Sequence, residues 1–225
     1  MILIKTISYD FLIRILQSEH CLKGGQNPLK AVKFNYSFLF LYHSPMNNLS
    51  ATLWSQIRTV QNFPKPGICF YDLTPLFMNS IETLTDALIA SIPPEQLEAV
   101  DSFIAVEARG FVLATLLAQR TGKALILVRK AGKLPPPVVG VGYSLEYGLD
   151  RLEMSAELSS QKVIIVDDVL ATGGTLKAVK QLAEKCNHEV LGASIFLDLP
   201  DLHGDLGLNI WSSLNNQQQP AQDVA

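Results

Sequence analysis

The chain has 225 residues, 48% of them hydrophobic, with a formal net charge of −3 and a pI near 5.8. That length and apolar content suit one α/β domain with a sizeable core, or two small ones, and exclude a disordered chain. The basic residues are scattered, so nucleic acid is not an expected partner.

Residues 1–45 hold two apolar stretches, Phe11 to Leu16 and Phe38 to Tyr42. Both fall short of the roughly 20 residues a spanning helix needs, so no membrane association is expected. No clean signal peptide is present, and a transit peptide is the minor alternative, because basic residues outnumber acidic ones although serine is sparse. The segment reads as an N-terminal extension of uncertain order, with Met46 an alternative start, and the location reads as cytoplasmic. The domain proper is expected over 46–210, followed by a polar, frayed tail over 211–225.

From Asn48 or Ser50, the spacing of Leu53, Trp54, Ile57 and Val60 predicts a short helix. Pro64, Pro66 and Gly67 then forbid a regular helix and predict a shaped loop over 62–72. A second helix is expected from Ser80 through Ile89, stopped by Pro93 and Pro94. Residues 102–111, SFIAVEARGF, read as an apolar strand ending in Glu107 and Arg109, followed by a helix that ends at Thr121-Gly122. Residues 124–130 are a further buried strand, ending in Arg129 and Lys130. Prolines and glycines over 131–143 predict a long irregular segment, and alternation on either side of Gly148-Leu149-Asp150 predicts a hairpin.

The run Val163 to Val166 predicts another buried strand, followed by Asp167, Asp168, a glycine turn and a helix. Residues 189–199 close the pattern with one more strand. Strands alternating with helices define an α/β fold with a mostly parallel sheet. In such sheets ligands bind beyond the carboxyl ends of the strands, where Glu107, Arg109, Arg129, Lys130, Asp167 and Asp168 all fall.

Gly173 and Gly174 allow a close backbone approach to an anion, and the following helix adds its positive end. Thr172 and Thr175 add hydroxyl donors. The stretch lacks the patterns of a P-loop and of a dinucleotide fold. Two carboxylates beside a phosphate cradle are explained if the ligand also carries a diol, as a ribose 5-phosphate does. The cysteines Cys21, Cys69 and Cys186 share no short spacing, and the four histidines form no ligand pattern with them, so no protein-held metal is expected.

These residues carry a resemblance. VIIVDDVLATGGT (163–175) resembles the phosphoribosyl-diphosphate (PRPP) binding motif of the type I phosphoribosyltransferases. FPKPGICFYDLTPL, VEARGF, VRKAGKLP and YSLEYG resemble its adenine-specific members, in the family's order, over roughly residues 50–200. The resemblance implies a mostly parallel central sheet flanked by helices, a flexible catalytic hairpin loop and a small hood. It implies transfer of phosphoribosyl to adenine, giving AMP and diphosphate in purine salvage. Another purine base, or a non-catalytic PRPP-binding regulator, are the alternatives.

By the same resemblance, Ala171, Thr172, Gly173, Gly174 and Thr175 hold the 5-phosphate, and Asp167 and Asp168 face the ribose hydroxyls. Arg109, Arg129, Lys130 and Lys133 engage the diphosphate. Glu146, Tyr147 and Arg109 are the expected catalytic residues, and Cys69, Phe70 and Tyr71 the expected adenine site. Tyr71 stands where the family usually has arginine, which bears on base preference. Mg²⁺ is expected to arrive on PRPP, and a homodimer is implied.

Overall fold

The computed structural model describes residues 46–145 and 148–219. The N-terminal extension, Glu146, Tyr147 and residues 220–225 lie outside them. Helix α1 (Met46–Ser55) leads into a two-stranded antiparallel ribbon, β1 (Arg58–Gln61) and β2 (Cys69–Asp72). The short helix α2 (Thr74–Asn79), then α3 (Ile81–Ser91) and α4 (Pro94–Ala99) follow. The remaining order is β3 (Ser102–Val106), α5 (Gly110–Thr121), β4 (Ala124–Lys130), β5 (Val138–Leu145) and β6 (Gly148–Ser155). The chain then forms β7 (Lys162–Leu170), α6 (Gly174–Lys185), β8 (Glu189–Asp198) and β9 (Ile210–Asn215).

Seven strands make one sheet in the order β5-β6-β4-β3-β7-β8-β9. Strands β4, β3, β7, β8 and β9 are mutually parallel, and the β5–β6 hairpin joins β4 antiparallel. The fold is thus the mostly parallel type expected, with the hairpin as its exception. Central strand β3 is buried along its whole length, as a strand covered on both faces requires. One face packs Phe103, Ala105, Ile164, Val166 and Phe196 against α1, α3 and α5. The other packs Ile104, Ile126, Val128 and Ile165 against Val141, Leu152 and Met154 of the hairpin and the apolar side of α6. Each fully buried Leu, Ile or Phe side chain contributes roughly 1.5–3 kcal/mol relative to exposure.

Several boundaries differ from the sequence expectation. Ile57 and Val60 do not continue the first helix: it stops at Ser55, and Val60 pairs with Phe70 in the ribbon. The loop expected over 62–72 ends at Ile68, because β2 gains β1 as a partner. Pro94 starts a short helix instead of only ending one, its missing N–H being no loss in a first turn. The irregular segment is shorter, since Val138 to Tyr143 belong to β5, and Leu145 pairs with Gly148, so Gly148 to Asp150 belong to β6 and are not the turn. Asp167 and Asp168 lie within β7, not after it. The domain runs beyond residue 210: Trp211 to Asn215 form the edge strand β9, anchored by Leu214 in the core, instead of opening a frayed tail.

Candidate functional site

The carboxyl ends of β3, β4 and β7 meet at one edge, where the strand order reverses. From β3 the chain passes through α5 to β4 on one side; from β7 it passes through α6 to β8 on the other. Open α/β sheets bind ligands at such a switch point. β3 and β7 pair only as far as Ala105 and Val166, so beyond that point β7 keeps β8 alone as a neighbour. Asp167 and Asp168 border the opening left where β3 ends.

Asp168 is buried, and Arg109 Nη1 stands 2.8 Å from its Oδ2 as an ion pair, with no N–H aligned on that oxygen. The Asp168 N–H donates to Asp167 Oδ1 at 2.9 Å. Burial, and then the adjacent charge of Asp168, push the Asp167 carboxyl well above its ordinary 3.8, against a smaller pull from Arg109. A carboxyl held toward its protonated form both donates and accepts, which matches the hydroxyls of a diol.

Asp167, Ile195 and residues 169–176 line a cavity of about 100 Å³. Gly173 adopts a φ of +77° and precedes the first residue of α6. Backbone N–H groups and the positive end of a twelve-residue helix therefore open on this cavity. A larger cavity of about 530 Å³ lies between α1, α3 and β9, lined by Leu49, Ala87, Ser91, Ser213 and other uncharged residues. Its uncharged lining offers nothing to neutralise an anion.

The four expected diphosphate cations do reach this edge, each held by a carboxylate. Glu107 is a hub: Lys133 Nζ lies 2.5 Å from its Oε1, and Arg129 Nε and the Lys130 N–H lie 3.3 and 3.0 Å from its Oε2. The Lys133 hydrogen bond, then the Lys130 N–H, hold the Glu107 carboxyl below its ordinary value. Arg129 also donates to the Lys133 carbonyl at 3.2 Å and sits over Phe111, 5.8 Å from the ring centre. Lys130 Nζ turns to the hairpin, 3.0 Å from Asp150 Oδ2, which Tyr143 Oη approaches at 3.5 Å.

The ribbon supplies the second wall. Arg109 lies over Phe70, 5.3 Å from the ring centre, and Phe63 meets Phe70 edge-on at 5.1 Å. Phe70, Arg109 and Asp168 thus form one continuous chain of contacts. Cys69 and Tyr71 alternate to the other face of β2: Tyr71 packs edge-on against Trp54 at 6.1 Å, and Gln61 donates to Cys69 Sγ at 3.5 Å. Their side chains are not brought to Arg109, although their backbone belongs to the same strand.

Three participants were not among the expected site residues. Glu107 and Asp150 hold the cations in place, and Gly110 lets α5 approach β7: a Cβ there would stand 2.7 Å from the Val166 carbonyl and 3.2 Å from Asp167 Oδ1. The strand-end position of Glu107 and its place in VEARGF were its sequence signals.

Comparison with known proteins agrees with this fold. The family model described as phosphoribosyl transferase domain matches residues 79–217. A protein from Mesorhizobium japonicum is 42% identical over 159 residues, covering 70% of this chain and 87% of its own; one from Mycolicibacterium smegmatis is 43% identical over 169 residues, covering 72% and 90%. Among solved structures, one from Saccharomyces cerevisiae, complexed with an imino-altritol bisphosphate and adenine, aligns with a TM-score of 0.70 at 32% identity, covering 75% of this chain and 99% of that one. One from Rhodothermus marinus aligns with a TM-score of 0.67 at 35% identity, covering 75% and 99%.

The chain belongs to the phosphoribosyl transferase family. It is therefore a pentosyltransferase by class. The relatives and structures just described are each adenine phosphoribosyltransferases, and that is the activity this chain shares.

Proposed function

We propose that the strand-end edge makes AMP and diphosphate from adenine and PRPP, with the residues in the following roles. The observation that carries this is Arg109, which touches Asp168 of the acidic pair on one side and the Phe70 ring on the other. One guanidinium thereby joins a ribose-binding position to a flat apolar surface suited to a purine. Residues 171–175 take the 5-phosphate, Asp167 and Asp168 take the ribose hydroxyls, and Phe70 stacks on the base. The backbone at Cys69 and Tyr71 reads the purine edge, so that Tyr71 in place of arginine leaves recognition intact.

Arg109, Arg129, Lys130 and Lys133 stabilise charge that grows on the departing diphosphate. They exchange Glu107, Asp150 and Asp168 for diphosphate oxygens as the substrate enters. Glu146 and Tyr147, between β5 and β6 in sequence, close over the reacting centre: Glu146 serves proton transfer with the purine, and Tyr147 contacts the diphosphate. Excluding water protects an oxocarbenium-like centre from hydrolysis.

Mg²⁺ arrives on the diphosphate. Among the described residues no three His, Cys, Asp or Glu side chains gather as a cage, and magnesium commonly rides on substrate phosphates with its waters. A homodimer in the cytoplasm completes the reading.

The decisive experiment incubates purified protein with PRPP and Mg²⁺ against adenine, hypoxanthine, guanine and xanthine separately, with products resolved by chromatography. AMP from adenine alone is expected. A different nucleotide would reassign the base, and bound PRPP without any product would mark a regulator.

A further inference from the structure

The segment between β8 and β9 folds back beside the phosphate cradle, and His203 in it reaches the end of β8. His203 Nε2 is 2.8 Å from Asp198 Oδ1 at the end of β8, and Nδ1 is 3.0 Å from the Gly204 carbonyl. Both partners can only accept, and a neutral imidazole has a single N–H. Both contacts are hydrogen bonds only when the ring carries two protons. The pair is well enclosed, with side chains 11% and 13% exposed.

This clasp is coupled to the cradle at two points. Asp198 is in register with Leu170, the residue before Ala171. Leu206, three residues beyond His203, packs so closely on Gly173 that a Cβ there would stand 2.6 Å from its Cδ2. The Gly207 N–H donates to Asp205 Oδ1 at 2.8 Å and closes the turn around Leu206.

We propose that His203 is a positioning residue: as an imidazolium it fixes residues 203–207, and through Leu206 it keeps Gly173 and the cradle in the shape that receives the 5-phosphate. This rests on the assignment of residues 171–175 to that phosphate. The charged groups facing the ring are Asp198 from β8 and Lys177 from α6. Burial opposes the charge, as does Lys177, but the Gly204 carbonyl and Asp198 outweigh them, so the ring titrates above its ordinary 6.5. The clasp is complete below that ordinary value and is lost as pH rises through the raised one.

The test compares wild type with His203→Gln and His203→Lys across about pH 6 to 9, where a raised imidazole titrates. Substrate ionisation cancels in the ratio of variant to wild type. Near the acid end, His203→Gln is expected to raise KM for PRPP about fivefold with KM for adenine unchanged, as loss of a charge-assisted contact on one substrate's side would. That ratio falls toward one as pH rises, and His203→Lys restores the low KM near pH 6 and retains it at high pH. NMR titration of the His203 ring in free protein, then with ribose 5-phosphate as probe, reads the clasp directly and is expected to give a raised value that rises further on binding. A ratio independent of pH, an equal loss for adenine, no rescue by lysine, or a ring titrating at its ordinary value would overturn the clasp. Failure of the wild type to make AMP would overturn the reading of the site, and the ring titration in free protein would still decide the clasp.

Discussion

Gly110 is the residue on which the two halves of the site close. It begins α5 directly after Arg109, and its missing side chain lets the helix end press against the Val166 carbonyl and the Asp167 carboxyl. A backbone carbonyl at 2.7 Å cannot yield as a flexible side-chain tip would. Gly110→Ala is therefore expected to move α5 away from β7 and to break the Arg109–Asp168 contact. Overpacking of this kind costs about 1–3 kcal/mol, and displacing aligned groups by about 1 Å costs on the order of a hundredfold in rate. The variant is expected to fold by circular dichroism yet lose about two orders of magnitude in kcat/KM; activity within a factor of about three would mean that the approach is not needed. Tyr71 teaches the converse about single residues. Its departure from the family pattern was visible in the sequence, but only β2 alternation, with Phe70 toward Arg109 and Tyr71 toward Trp54, tells which face the change occupies.

At the level of elements, what could be read from sequence was what is local. Strands β3, β4, β7 and β8 announced themselves as mostly apolar runs, and the glycine turn before α6 sits within a few residues of the acids beside it. Strand β5 was hidden because Gly140 and Gly142 resemble loop residues, whereas Gly140 in fact makes room for the Arg151 guanidinium on the neighbouring strand. Strand β9 was hidden because Ser212, Ser213 and Asn215 read as polar tail, and only pairing with β8 makes them a strand. Cation partners were equally out of reach: Lys130 meets Asp150 through the antiparallel seating of β6 on β4, which no spacing encodes. In the proposed roles, that pairing makes the hairpin a competitor for the charge the diphosphate needs. Asp150 is held ionised, first by the Lys130 hydrogen bond. The pair is half exposed and screened, so it is worth only about 0.2–1 kcal/mol. Asp150→Asn keeps an oxygen for Tyr143 and releases Lys130. It is expected to lower KM for PRPP about threefold while lowering the melting temperature by about 1–3 °C. An increased KM would instead make Asp150 a support for PRPP binding.

For the molecule as a whole, the described residues cover the α5 side of the sheet except along part of β4. On β4, Ile126 and Val128 are buried beneath the hairpin side, while Leu125 and Leu127 on the opposite face stay 37% and 40% exposed, next to Val112 of α5 at 40%. Exposed apolar residues on a central strand differ from the scattered surface leucines of an ordinary monomer, because here they adjoin one another across a strand and the helix beside it. A second copy would cover this face and explain why α5 does not extend over it. A stable dimer needs about 800 Å² from each partner, with an apolar centre and a polar rim. Sedimentation of the wild type at about 10 μM is expected to give a dimer, well above the dissociation constant such an interface supports. Leu127→Lys, which buries an unpaired cation at the centre, is expected to shift it to monomer by at least a tenfold weakening. Because Arg129 follows Leu127 by two residues on the same face of β4, separation of the subunits should also disturb the cations proposed for the diphosphate. The monomeric variant is therefore expected to lose PRPP affinity along with assembly, and a monomeric wild type with full activity would refute both the interface and its coupling to the site.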